Sequence, residues 1–194
     1  MSLMEVFIGM AIATLILAGL WAIQKNFTSS NTFLEKSLRA QEEVRRTFKM
    51  MVTEIRSASG SNTGTYAVEQ ASSTSFIFYG DIDDDVLKER VHYYLDGTTL
   101  KKGVVKPTGT PLSYNLASES VSEVLHNIDN GIVPLFSFYD ISYAGTSSPL
   151  VEPVNIASIR LVKITAKSDE DAAKPPGPIT FTTQVTIRNL KDNL

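Results

Sequence analysis

The sequence predicts an α+β fold: a long N-terminal helix, half of it lipid-soluble and half amphipathic, packed on a C-terminal antiparallel β-sheet domain. Three observations carry this. Val6 to Ile23 is a run of eighteen uncharged residues, and no glycine lies between Gly19 and Gly60 and no proline before Pro107. Apolar residues then recur at helical spacing as far as Ile55. Beyond Gly64 the chain alternates short β-rich runs with turn residues, which is the pattern of an antiparallel sheet. The bounds are 1–24 for the lipid-soluble helix half, 25–58 for the amphipathic half and 59–194 for the sheet domain.

The first element reads as a membrane helix. At 1.5 Å per residue, residues 1–23 cover about 34 Å, enough for a hydrocarbon core of about 30 Å. Trp21 stands near the far end, where an indole suits the polar interface, and Gln24-Lys25-Asn26 follow it. No basic segment precedes the run and no proline or glycine closes it, which favours a retained anchor over a cleaved signal peptide. Glu5 is the one charged residue before Lys25. A carboxylate deep in a membrane segment costs about 2.5–3.5 kcal/mol, less near the interface. It either snorkels or protonates, or it meets a cation. A free α-amino group at about 4 Å would return about 4 kcal/mol at an effective dielectric of 20.

The second element continues the helix. Phe27, Leu34, Leu38, Val44, Phe48, Met51, Val52 and Ile55 form a stripe opposed by Lys36, Arg39, Glu42, Glu43, Arg46 and Lys49. The small-residue run from Ser57 to Gly64 stops it. Such a stripe needs a globular surface to cover it, and the sheet domain supplies one.

In the third region, strands are expected at 75–79, at 90–95 with a hairpin turn at Asp96-Gly97 leading into 100–105, at 136–139, at 156–166 and at 179–190. Ile159, Leu161 and Ile164 are read as inward in the fourth run, and Phe181, Val185 and Ile187 as the apolar face of the last. Ser120-Val121-Ser122-Glu123 reads as a capping box that opens a short helix through Ile128. Asp169 to Pro178 reads as the loop of a hairpin between the last two strands.

At 43% hydrophobic, 20% charged and a net charge of −3, the chain is neither a polybasic nucleic-acid binder nor wholly disordered. Without cysteine it has no disulfide framework, thiolate metal site or cysteine nucleophile. His92 and His126 are far apart and read as packing or surface residues. No phosphate loop, zinc spacing or nucleophile elbow is present, so no enzyme and no catalytic residue is expected. Asp81, Asp83 and Asp85 stand at alternate positions, as in a calcium loop. Val86 stands where that loop needs glycine, and His92 where it needs a final glutamate. The departures favour a solvated acidic turn and no cofactor, with these three aspartates as the set to test for calcium.

Ser2-Leu3-Met4-Glu5-Val6 followed by an apolar run resembles the start of mature type IV pilins and pseudopilins. The segments 90–102, 136–140 and 183–189 are similar in style to minor pilins and J-type minor pseudopilins. The resemblance implies that a prepilin peptidase trims and methylates the N-terminus, with Met1 counted as the first mature residue. It implies a single-pass inner-membrane subunit that an assembly platform moves into a periplasmic or extracellular filament of copies or related pilins. Glu5 would there neutralise the N-terminal amine of a neighbouring subunit. Many relatives carry a proline where Ala22 stands, so Gly9 and Gly19 are the positions where the helix would loosen in a filament. A type IV pilus subunit and a minor pseudopilin of a type II secretion system fit equally. A reading of another class is a signal-anchored membrane protein whose sheet domain binds a ligand and never polymerises.

Overall fold

The computed structural model describes residues 2–83, 85–168 and 177–190; for residues 26–34, 36 and 37 the backbone alone is described. A single α-helix, α1, runs over Leu3–Arg56. The chain divides into two compact units, Met1–Gln41 and Glu42–Leu194.

The first unit is helix. Leu3–Lys25 is long and apolar enough to cross a membrane, and none of its residues is buried. Its large apolar side chains can be read as one coat: Leu3, Phe7, Ile8, Leu15, Leu17 and Trp21, for example, are all more than half exposed. Lys25 Nζ lies 5.5 Å from the Trp21 ring, a cation–π contact at the polar end of the span. Leu38, expected in the covered stripe, is 63% exposed. The side chains of Phe27 and Leu34 lie outside the described residues.

The second unit holds residues 42–56 of α1 and the sheets. Its strands are β1 (Val68–Ala71), β2 (Ser75–Gly80), β3 (Glu89–Asp96), β4 (Thr99–Val105), β5 (Pro107–Thr108), β6 (Ser113–Tyr114), β7 (Ser120–Leu125), β8 (Phe136–Tyr139), β9 (Leu161–Ser168) and β10 (Ile179–Thr186). They form a five-stranded sheet ordered β1-β2-β3-β4-β7, a three-stranded sheet ordered β10-β9-β8 and the pair β5-β6. Every pairing is antiparallel. The α+β class is therefore as the sequence predicts.

One core serves both larger sheets and the helix. Val44, Phe48, Met51 and Ile55, spaced by three or four, are buried in the same cluster as Phe76, Phe78, Tyr93, Phe136 and Val162. Phe76 is the link between sheets, its ring 5.2 Å from Phe138 and 5.8 Å from Phe136. Polar clamps fix the helix. Glu54 accepts from the Tyr93 hydroxyl at 2.7 Å and from Lys102 Nζ at 2.6 Å, and Thr47 donates to the Val124 carbonyl at 2.9 Å. The carboxylate and ammonium are both nearly buried, so the pair is held by geometry as well as charge.

The Asp96-Gly97 turn forms as expected: Asp96 pairs with Thr99, and Gly97 takes φ +61, a conformation glycine adopts without strain. Where a helix is expected at 120–128, residues 120–125 are β7 and Ile128 makes an isolated bridge to Ser168. Val121, expected on the covered face of that helix, is 48% exposed. Pairing satisfies the edge of β4 and sets Lys101 opposite Glu123. The side chain that caps is Asn115, over the 3-10 turn Leu116–Ser118.

The expected strand at 156–166 starts late, since Ile156–Ser158 is a 3-10 turn capped by Asn155. The late start shifts the register. Ile159 and Ile164 are buried as expected, but Val162 rather than Leu161 shares the inward face with Ile164 and Ala166. The last strand ends at Thr186, and Arg188–Leu190 turns as a 3-10 helix whose Asn189 donates to the Ala58 carbonyl at 3.0 Å. β9 and β10 pair from Ser168 with Ile179 onward. Residues 169–176 of the expected hairpin loop lie outside the described residues.

Candidate functional site

Two places carry chemistry that the sequence singled out, the start of α1 and the loop between β2 and β3.

Glu5 is exposed in the first turn of α1. Its carboxylate accepts from the Ser2 backbone N–H at 3.3 Å, while the Glu5 N–H donates to the Ser2 carbonyl at 2.9 Å. Ser2-x-x-Glu5 is thus the back-reaching half of a capping box. The serine-x-x-glutamate spacing is visible in the sequence, although Glu5 is read there as an anion in search of a cation and not as a cap. A negative group there also complements the positive end of the helix dipole. Met1 lies outside the described residues. Gly9 and Gly19 sit in unbroken helix, and a methyl group added at either would meet nothing within 4 Å apart from the backbone of its own helix turns. Their lack of side chain is therefore not required by packing within the chain.

The acidic loop is differently built from the alternation the sequence suggests. One carboxylate oxygen from each of Asp81, Asp83 and Glu89 lies within 4.8 Å of the other two. Asp85 is not of this group. It accepts from Lys106 Nζ at 3.1 Å and from the Leu87 N–H at 3.0 Å, and the same lysine pairs with Asp83. Lys106 holds the Asp85 carboxyl below its usual range, and the two aspartates raise the lysine in turn.

Glu89, which the sequence reading passed over, is fully buried at the start of β3. Its Oε2 accepts from the Ile82 N–H at 3.1 Å, whereas Oε1 is buried without a hydrogen-bond partner. Burial pushes its carboxyl up, and the charges of Asp83 and Asp85 push the same way. A signal was present: Glu89 has the parity of Val91 and Tyr93, the inward face of an alternating strand. Asp81 repeats the arrangement, with Oδ2 accepting from the Val86 N–H at 3.3 Å and Oδ1 buried and unpartnered. Val86 reaches that contact at φ +75, a costly conformation for a β-branched residue.

Of the histidines, His92 packs and His126 lies at the surface. His92 stacks on Tyr94 with ring centroids 4.4 Å apart, and its Nε2 is 3.0 Å from the Ser75 hydroxyl. Burial holds its pKa below the usual value, against the pull of Glu119 3.5 Å from Nδ1. His126 is exposed, with Nε2 3.9 Å from Glu123. Beside them Arg90 forms a fork on Glu69, Nε to Oε2 and Nη2 to Oε1 both at 2.8 Å, which ties β3 to β1 across the intervening β2.

No family model matches this chain, and no curated protein matches it either.

Proposed function

We propose that this chain is a structural, non-catalytic subunit of a type IV pilus or a related filament, held in the inner membrane by residues 3–25 and polymerised through the same helix. One observation carries the reading: a 23-residue apolar helical span, none of whose residues is buried among the described residues, bears a single carboxylate at its start. Lipid covers such a span before assembly, and the equivalent helices of other copies or related pilins cover it afterwards. In that second environment Glu5 offsets a neighbouring chain's N-terminal amine, and Met1 is the residue that a prepilin peptidase exposes and methylates. A minor pseudopilin of a type II secretion system uses the same parts.

A second reading has an observation of its own. Glu5 already serves its own helix as a cap, so a signal-anchored protein that never polymerises would also keep it. Glu5→Gln separates the two, because glutamine also fills the back-reaching position of a capping box but carries no charge. As a cap alone, the variant behaves as the parent. In a filament, a buried amine loses its counter-charge, a break that costs about 3–5 kcal/mol. Incorporation into fibres, at matched membrane level, is expected to fall by more than about tenfold, with the sheet unit's melting unchanged. Equal incorporation of the variant and the parent would leave the polymer reading without its main physical support.

A further inference from the structure

We propose that Asp81, Asp83 and Glu89 form a calcium site that fastens the β2–β3 loop to the edge of the core. The inference is independent of whether the chain polymerises. Its basis is the coincidence of three carboxylates with two buried oxygens that have no donor. A buried carboxylate oxygen without a partner forfeits its hydration, and the usual remedies are a donor, a proton or a cation. Among the described residues no donor reaches Glu89 Oε1 or Asp81 Oδ1. Lys106, the lysine that pairs with Asp83 and Asp85, leaves both of these atoms unserved.

The donor chemistry and the irregular setting of the three ligands select the ion. Three carboxylates are hard oxygen ligands, suited to calcium or magnesium rather than to a thiolate- or imidazole-seeking metal. Oxygens on opposite sides of calcium, at about 2.4 Å each, stand about 4.8 Å apart, whereas the octahedral magnesium ion holds them within about 4.2 Å. The three oxygens lie within 4.8 Å of one another, inside calcium's reach, and calcium tolerates an irregular oxygen shell that octahedral magnesium does not. Glu89 is fixed by β3 and Asp81 directly follows β2, so two ligands come from a rigid hairpin and only Asp83 must adjust. Bound there, calcium would compete with Lys106 for Asp83 and leave the lysine with Asp85. Water and backbone carbonyls would complete its shell.

The test is thermal unfolding of the full chain in detergent micelles, in chelator and then in millimolar calcium chloride. At a hundredfold excess over Kd, the sheet unit's Tm is expected to rise by about 5–10 °C. Glu89→Gln and Asp83→Asn should each remove most of that rise, and Asp85→Asn should retain it. In chelator, Glu89→Gln should melt at or above the parent, because a buried charge is gone. A parent that ignores calcium, its Glu89 simply protonated, would overturn the site. So would a Glu89→Gln variant that responds as the parent does. Magnesium at equal concentration should give the smaller rise, and an equal one would overturn the choice of calcium.

Discussion

Residues 3–25 and 42–56 belong to one helix, yet they solve the problem of apolar surface in opposite ways. In the first stretch apolar residues point in every direction and all remain exposed. In the second, Val44, Phe48, Met51 and Ile55 form one buried stripe while Glu43, Arg45, Arg46 and Lys49 face solvent. A stripe can be covered by one partner surface, and the chain's own sheets supply it. A helix that is apolar all round cannot be covered from one side, so it needs an apolar phase: lipid, or several other helices. Periodicity thus tells where the chain completes itself, and its absence where it depends on something else.

The largest expected effect comes from removing the dependent stretch. A chain beginning at Asn26 should leave the membrane fraction and unfold cooperatively in water as a monomer, checked by sedimentation and circular dichroism. If it aggregates or lacks a cooperative transition, the sheet unit does not complete itself and the contrast fails.

A matched pair of truncations sharpens the contrast within the helix. Met51→Ala should destabilise the sheet unit by about 2–5 kcal/mol, since it empties a fully buried position. Leu15→Ala, at a residue 73% exposed, should shift the same transition by less than about 0.5 kcal/mol. Urea titration of the full chain in micelles measures both. Comparable losses would mean that the two stretches are not energetically distinct.

The smallest effect concerns two glutamates of the sheet unit with opposite signs. Hydrogen bonds from Arg90 hold Glu69 below the ordinary carboxylate range, so its contribution is present above the unfolded value and lost as pH falls through the folded one. Glu89 is raised by burial, so the folded state takes up its proton first and stability rises as pH falls through its folded value. In chelator, Glu89 should therefore add stability as pH falls through its folded value, set against the loss from His92, whose pKa burial holds low, and stability should decline below about pH 4. Urea midpoints between pH 7 and 3 show this. Glu89→Gln should remove its gain from the limb above about pH 4, and an unaltered limb in that variant would assign the gain to another group.

The sequence by itself determined the helix, its membrane-soluble start, the hairpin at Asp96-Gly97 and the α+β class. Each rests on local information: uninterrupted apolarity, a 3.6-residue stripe, or a glycine where positive φ is needed. Only the tertiary structure decided that residues 120–125 extend a sheet, because a weak capping signal yields to the unpaired edge of β4. It decided the inward register of β9, which a 3-10 turn before the strand shifts from Leu161 to Val162. It also joined Asp81 and Asp83 to Glu89 and gave Asp85 to Lys106 instead. Spacing along the chain fixes which residues can share a face. Which carboxylates meet depends on how β2, β3 and β4 lie side by side, and that is set by pairings between residues distant in sequence.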